Sequence, residues 1–220
     1  MAELVDAPDS KSGELITREG STPSPGTKES RIDRSAIQMN FCSLCGQPVR
    51  LLVPEGDNMR RHVCTGCGTV HYQNPKIVSG CVPEYEGRIL LCRRAIEPRL
   101  GYWTIPAGFM ENGETTQDAA RREAAEEALA EVEIGSLLAV VHVLHADQVH
   151  VMFRARLPSP KFGVGRESLE VMLFDEAEIP WHDMAFRSVD FALRRYLDDR
   201  RSGVEPHHFT ALDFRKQPPG

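Results

Sequence analysis

Three glutamates in the middle of the chain, Glu123, Glu126 and Glu127, have a spacing that could bind a metal ion. The spacing is i, i+3 and i+4, so on a helix all three side chains would project from one face. Like charges on one face destabilise an isolated helix, and a divalent cation such as Mg²⁺, which prefers oxygen ligands, would remove that penalty. The alternative is a solvated acidic helix face that binds nothing. The three residues alone leave both interpretations open.

Four cysteines form two Cys-x-x-Cys pairs, Cys42 with Cys45 and Cys64 with Cys67, with eighteen residues between the pairs. Two such pairs at this separation are typical of a tetrahedral thiolate cage for zinc. The segment between them reads as two short strands around the turn PEGDN, which predicts a zinc ribbon. Four sulfur ligands leave no open coordination position, so zinc there would be structural rather than catalytic. Disulfides are the alternative, and iron in the same cage is another.

The composition is that of an ordinary globular protein. The chain has 220 residues, of which 41% are hydrophobic and 26% charged, and a net charge of -6. This acidic balance disfavours nucleic acid as a partner, since nucleic-acid binders usually carry a basic excess. No apolar run approaches the length of a membrane span, and no secretory signal is visible at the N-terminus. We therefore expect a cytoplasmic protein with reduced cysteines.

The chain divides into four predicted segments: a disordered leader at 1–38, the zinc ribbon at 39–74, a larger domain at 75–200 and a tail at 201–220. The leader is polar and lacks a hydrophobic period, so it cannot bury enough apolar surface to fold alone. Its sequence resembles the translation of a bacterial tRNA gene, and we expect the natural start to be Met39.

Strands dominate the larger domain, together with a helix from about residue 116 to 129 and a second, amphipathic helix in RSVDFALRRYLDD. This pattern predicts an α/β fold in which helices cover a mixed sheet. Cys81 and Cys92 lie in apolar runs and are expected to be small core residues.

The stretch that follows Gly108 resembles the signature of the Nudix hydrolases. That signature is a glycine, five residues, a glutamate, seven residues, Arg-Glu, an apolar residue, any residue, Glu-Glu, any residue, a glycine and an apolar residue. The chain matches it at Gly108, Glu114, Arg122, Glu123, Ala124, Glu126 and Glu127. It departs at Leu129, where the family has its closing glycine. This departure puts the helix cap in doubt, and the chain is expected to extend the helix or to turn elsewhere, for example near Gly135.

The resemblance implies a Nudix α/β/α sandwich with a mixed sheet, preceded by the small zinc ribbon. It implies Mg²⁺ or Mn²⁺ as the catalytic metal, held by Glu123, Glu126, Glu127 and the Gly108 carbonyl. It also implies that Arg122 pairs with Glu114 and fixes the loop against the helix. The implied reaction is hydrolysis of a diphosphate linked to a nucleoside, with a carboxylate taking the proton from water.

From about Cys42 to Tyr196 the chain resembles the plant and bacterial zinc-ribbon Nudix hydrolases that act on FAD and ADP-ribose. This implies a small dinucleotide-type substrate, either FAD, cleaved to FMN and AMP, or ADP-ribose, cleaved to AMP and ribose 5-phosphate. NADH pyrophosphatases are an alternative, although their Ser-Gln-Pro-Trp-Pro-Phe-Pro type motif is not found here. An RNA-decapping enzyme and a non-catalytic nucleotide-sensing module are further alternatives. Nudix hydrolases of this sort often pair as homodimers, but no sequence feature marks an interface.

Four further side chains are candidates for the site. The region of Glu167 and Glu170 is expected to supply another carboxylate as metal ligand or base, and Glu170 is the predicted one. Trp103 precedes the signature and is expected either to stack on a flat ring of the substrate or to lie in the core. Arg93 and Arg94 are candidates for the diphosphate, although one of two adjacent strand residues normally faces away.

Overall fold

The structure, a computed structural model, describes residues 39–213, so the expectations for the leader at 1–38 lie outside the described residues. Eleven strands and two α-helices are described. They are β1 (Val49–Leu52), β2 (Arg61–Cys64), β3 (Val70–His71), β4 (Lys76–Tyr85), β5 (Arg88–Arg94), β6 (Trp103–Thr104), β7 (Ala107–Phe109), α1 (Thr116–Ala128), β8 (Glu133–Val143), β9 (Gln148–Arg156), β10 (Ser168–Phe174), α2 (Arg187–Ser202) and β11 (His208–Leu212).

The ribbon is a three-stranded antiparallel sheet in the order β1-β2-β3. The two strands predicted around PEGDN are present as β1 and β2, and β3 adds a third. Gly46 and Gly68, which follow the two Cys-x-x-Cys pairs, have φ values of 70° and 74°. Glycine adopts this left-handed conformation without steric cost, which allows the chain to turn sharply after each pair.

The larger domain is built on a mixed sheet with the order β10-β5-β4-β9-β8-β11, to which β6 and β7 add alongside β5 and β4. The pairs β4–β9 and β8–β11 are parallel, and the other pairs are antiparallel. The mixed sheet was predicted. Strand β11 was not: within the predicted tail at 201–220, residues 208–212 form an edge strand of the sheet, and residues 214–220 lie outside the described residues.

The two helices cover opposite faces of this sheet. Along β5, Ile89 and Leu91 pack into the core cluster that contains the apolar face of α2, while Leu90 and Cys92 pack into the cluster that contains α1. This alternation is the period of two expected for a strand. The predicted α/β/α sandwich is confirmed, and Cys81 and Cys92 are buried core residues as expected.

Helix α1 approaches the sheet closely because its inner face consists of small residues. Ala120, Ala124 and Ala128 recur every four residues and are fully buried. The helix begins with a capping box, in which Thr115 Oγ1 accepts a hydrogen bond from the Asp118 N–H at 3.1 Å. It ends at residue 128, close to the predicted boundary.

The end of α1 corrects the expectation for Leu129. The chain neither extends the helix nor waits for Gly135, because Leu129 itself adopts the left-handed conformation, with φ 47° and ψ 34°. Its N–H donates to the Ala124 carbonyl, as in a helix cap closed by glycine. A non-glycine residue in this conformation costs roughly 1–2 kcal/mol.

A buried ionic network ties β11 to the rest of the domain. Arg154 on β9 donates to Asp199 on α2 and, at 2.9 Å, to the Pro206 carbonyl. Asp199 also lies 2.9 Å from His208 Nε2 on β11. Both Arg154 and Asp199 are less than a tenth exposed. Because little water reaches either charge, each is stabilised by the other, and removal of one would leave an unpaired buried charge.

Candidate functional site

Strand β7 and the C-terminal half of α1 bring two of the predicted glutamates together. The Ala107 N–H donates to Glu127 Oε2 at 3.1 Å. A Cβ atom built on Gly108 would lie 2.3 Å from Glu123 Oε1, so only glycine leaves room for that carboxylate. Both glutamates are buried, with 8% and 5% of their surface exposed for Glu123 and Glu127. Glu126 lies on the same helix face and is exposed.

Arg122 joins the loop after β7 to the helix. Its Nε and Nη2 donate to the two oxygens of Glu114 at 3.1 and 2.8 Å, a bidentate pair. Its Nη1 donates to Glu123 Oε1 at 2.7 Å and to Glu126 Oε2 at 3.2 Å. One guanidinium therefore contacts two of the three glutamates predicted to bind metal, and it also holds Glu114, which precedes the helix.

The electrostatics of the buried pair disfavour negative charge in the absence of a cation. Burial raises the pKa of Glu127 to about 8; the hydrogen bond from Ala107 opposes this shift, and the charge of Glu123 adds to it. Burial also raises the pKa of Glu123, against the opposing effect of Arg122. Burial thus opposes ionisation of both carboxyl groups, and additional positive charge at the site would favour it.

The donor set of this site suits a hard divalent cation. Its side-chain donors are the carboxylate oxygens of Glu123, Glu126 and Glu127, and the Glu123 carboxylate occupies the space that a side chain at position 108 would need. The Gly108 carbonyl stays a predicted ligand. The carboxylates are less tightly gathered than the thiols of the ribbon: among residues 39–213, only the four cysteines bring all their ligand atoms within 4.8 Å of one another. Arg122 lies between Glu123 and Glu126 in this arrangement.

The fourth carboxylate near this site comes from Glu167 and not from Glu170. The negative charge of Glu167 contributes to the raised pKa values of both Glu123 and Glu127. Glu170 instead accepts a hydrogen bond from Arg93 Nη1 at 3.0 Å, with 49% of its side chain exposed.

The alternation of β10 explains this correction. Alternate residues of a strand lie on the same face of the sheet. Val171 packs on the α1 face, whereas Phe174, which shares its face with Glu170, packs on the α2 face. The expectation that Glu170 points into the site is therefore wrong, because its side chain leaves the sheet on the other face. The parity of the strand was available from the sequence, but which face carried α1 was not.

The three residues predicted to contact substrate are all engaged within the protein. Trp103 is 9% exposed and packs edge-to-face on Phe174 with ring centroids 4.9 Å apart, which is the core position, the second of its two expected roles. Arg93 is engaged with Glu170 and the Gly101 carbonyl. Arg94 is also 9% exposed; it donates to the Pro98 carbonyl at 2.9 Å, and its guanidinium lies 5.1 Å from the centre of the Phe186 ring. Its charge lowers the pKa of Glu127, and contact with a diphosphate stays a prediction.

The ribbon cysteines form a compact cage. Sγ of Cys42 lies 3.7 Å from Sγ of Cys67, and Sγ of Cys45 lies 3.4 Å from Sγ of Cys64. Four sulfurs arranged tetrahedrally about 2.3 Å from a zinc ion would be separated by about 3.8 Å, so the cage has the right size. Hydrogen bonds from Thr69 lower the pKa of Cys67, which favours the thiolate form of this one cysteine.

His71 was missed by the sequence analysis. Its Nε2 lies 3.3 Å from Sγ of Cys42, and it reaches the cage from β3. His71 follows the second cysteine pair by four residues. Because four thiols already complete a tetrahedral ligand set, the sequence offered no reason to place a histidine at the cage. A ring nitrogen at this distance can donate to the sulfur and reduce the negative charge of the cage.

Comparison with known families agrees with this architecture. The Nudix N-terminal zinc-ribbon family matches residues 40–73, and the NUDIX domain family matches residues 74–192. The boundary between the two matches falls between β3, the last strand of the ribbon, and β4, the first strand of the larger domain. Within the described residues, no helix is long and apolar enough to cross a membrane.

Individual relatives point to the same family. The crystal structure of a NUDIX hydrolase from Nitrosomonas europaea is 52% identical, with a TM-score of 0.77 over 79% of this chain and 99% of that one. An ADP-ribose pyrophosphatase from Methanocaldococcus jannaschii is 28% identical over 50% of this chain and 67% of its own. The NAD-capped RNA hydrolase NudC of Chromobacterium violaceum is 38% identical over 40% of this chain, which spans only 31% of that protein. The chain therefore belongs to the Nudix hydrolase family and carries that family's N-terminal zinc ribbon in front of the catalytic domain.

Proposed function

We propose that the protein is a metal-dependent pyrophosphatase that hydrolyses ADP-ribose to AMP and ribose 5-phosphate. The observation that carries this proposal is the meeting of Glu123 and Glu127 at the β7 strand beside Gly108. Bound there by these carboxylates, Glu126 and the Gly108 carbonyl, Mg²⁺ or Mn²⁺ would supply positive charge for the pyrophosphate oxygens and for water activation.

The chain's own residues have separate tasks in this proposal. Water attacks one phosphorus, a new P–O bond forms, and the bridging P–O bond breaks to release the second phosphate as a monoester. Glu167, which is exposed and close enough to affect both buried glutamates, takes the proton of the water. Arg122 fixes the loop after β7 against helix α1 through its pair with Glu114.

ADP-ribose is preferred to FAD for two reasons. The ring of Trp103, which would have stacked on a flavin, is buried against Phe174. The archaeal relative is an ADP-ribose pyrophosphatase, whereas no relative reported above is named for FAD. A second candidate, the hydrolysis of NAD-capped RNA, is favoured by the 38% identity to NudC over part of its length.

A substrate panel tests the proposal. The full chain is incubated with ADP-ribose, FAD, NADH or NAD-capped RNA, with Mg²⁺, with Mn²⁺ and with a chelator, and monoester products are measured through a coupled phosphatase. We expect ADP-ribose to give the highest kcat/KM, only in the presence of a divalent cation. Fastest turnover of the capped RNA would favour the second candidate. Absence of metal-dependent turnover with all four substrates would contradict the enzymatic proposal and favour a nucleotide sensor.

We further propose that the four cysteines hold one structural Zn²⁺ in a reducing, cytoplasmic setting, since a metal cage requires reduced thiolates. Elemental analysis of the purified chain should give one zinc per chain. Recovery of two disulfides and no metal would contradict the assignment.

A further inference from the structure

A tight turn, Gly165–Ser168, carries Glu167 to the candidate site. The Ser168 N–H donates to the Gly165 carbonyl at 3.2 Å, which closes a four-residue turn. Gly165 and Ser168 are buried, whereas Arg166 and Glu167 at the centre of the turn are exposed. The two ends of the turn are therefore anchored, and the glutamate is presented at its apex.

The anchors are the last carbonyls of α1. The Gly163 N–H donates to the Ala128 carbonyl at 2.7 Å, and the Gly165 N–H donates to the Glu127 carbonyl at 3.1 Å. The Ser168 hydroxyl donates to the same Glu127 carbonyl at 2.7 Å. The last carbonyls of a helix have no partner within the helix, so the turn satisfies groups that would otherwise be exposed or unpaired.

The docked turn has little freedom to shift. A Cβ atom at Gly165 would lie 1.9 Å from the Glu126 carbonyl oxygen, so the backbones touch directly. On the other side, the Ala95 N–H at the end of β5 donates to the Glu167 carbonyl at 2.8 Å. The backbone of Glu167 is thus held between the helix that carries Glu127 and the strand that carries Arg94.

We propose that Ser168 is a positioning residue: its buried hydroxyl locks the turn that carries Glu167 onto the backbone of Glu127 and so sets the distance between the base and the metal-binding carboxylates. This inference rests on the proposed function, because the distance matters only if Glu167 takes part in hydrolysis. Ser168 contacts neither substrate nor metal. A misplacement of about 1 Å at a reacting group can cost on the order of a hundredfold in rate, so loss of one anchor should be visible in kcat.

Ser79 supplies a matched control. It is a second buried serine, and its hydroxyl donates at 2.6 Å to the Thr116 carbonyl, at the opposite end of α1. Ser168→Ala and Ser79→Ala each remove one buried hydrogen bond to the same helix. The two variants should lose similar stability, on the order of 1 kcal/mol by the usual cost of such a bond. Only Ser168→Ala should disturb the turn that carries Glu167.

The first test compares kcat and KM for these two variants and for Ser168→Thr with ADP-ribose. We expect Ser168→Ala to lower kcat about tenfold or more and to change KM by less than about threefold, because substrate contacts are intact. Ser168→Thr, which keeps the hydroxyl, should recover most of kcat. Equal losses of kcat in Ser168→Ala and Ser79→Ala, after correction for folded protein, would overturn the proposal.

The second test is a double-mutant cycle with Glu167→Gln. If Ser168 acts through Glu167, Ser168→Ala should lower kcat by less than about twofold in the Glu167→Gln background. Independent losses that multiply would mean that the serine merely supports the fold, and would contradict the proposal. A parent chain without metal-dependent turnover would instead refute the proposed function. A parent chain that is active and indifferent to Ser168→Ala refutes the positioning role alone.

Discussion

One buried histidine, His150 on β9, should make an unfavourable contribution to stability in mild acid, which comparison with a His150 variant isolates from the other titrating groups. Its side chain is 8% exposed, and Nε2 lies 2.9 Å from Gln148 Oε1. Nδ1 is buried and has no hydrogen-bond partner within the part of the chain that the structure describes. Burial lowers the pKa of this imidazole to about 4. Protonation would put an N–H and a positive charge at Nδ1, where nothing accepts them.

The expected size follows from the difference between the folded and unfolded pKa values. A shift from 6.5 to about 4 means that the unfolded chain binds this proton more tightly, so the histidine's contribution to stability is close to zero above pH 6.5 and becomes unfavourable as the pH decreases below it. At about pH 5 the histidine should cost about 2 kcal/mol, and the loss approaches about 3 kcal/mol below pH 4, where both states are protonated.

Urea unfolding followed by tryptophan fluorescence measures this loss, since Trp103 lies in the core. The parent should lose about 2 kcal/mol more than His150→Gln between about pH 7.5 and about pH 5, because glutamine cannot titrate. His142→Gln, at an exposed position on β8, is the matched control and should behave as the parent does. A difference between parent and His150→Gln below about 0.5 kcal/mol would refute the reasoning, since the ring would then be accepting its proton in the folded state.

Four further substitutions test other parts of the structure. Glu127→Gln should lower kcat by more than about a hundredfold without lowering the melting temperature, because glutamine removes a buried charge and keeps an oxygen for the Ala107 N–H. Cys64→Ser should abolish zinc binding, measured by elemental analysis, and should expose the ribbon to limited proteolysis. Leu129→Gly should raise stability to urea by up to about 1 kcal/mol, because the left-handed backbone is strained only for leucine; a loss would show that its side chain matters more. Asp199→Asn should cost about 3–5 kcal/mol because Arg154 stays buried, whereas Asp190→Asn, in an exposed pair, should cost less than about 1 kcal/mol.

The local features of the protein could be predicted from the sequence because their information is short-range. The spacing of Glu123 and Glu127 predicted that they share one face of the predicted helix, and the spacing of the cysteines predicted that the two pairs form one cage. The mixed sheet between helices was predicted from the order of strand-like and helix-like apolar patterns along the chain. Each of these predictions depends on residues separated by a few positions, for which the periods of helix and strand determine which side chains lie on one face.

Only the tertiary structure decided which distant residues join these local elements. Glu167 rather than Glu170 reaches α1 because a turn docks on free carbonyls at the helix end, and no spacing rule relates residues forty positions apart. Leu129 is held in a left-handed cap by the helix that ends there, although its residue type predicts otherwise. Strand β11 pairs with β8 in the sheet and lies beside the buried Asp199 carboxylate, and Trp103 packs against Phe174; both are contacts between residues far apart in the chain. Such long-range contacts depend on how the elements pack, and that packing is a property of the whole chain.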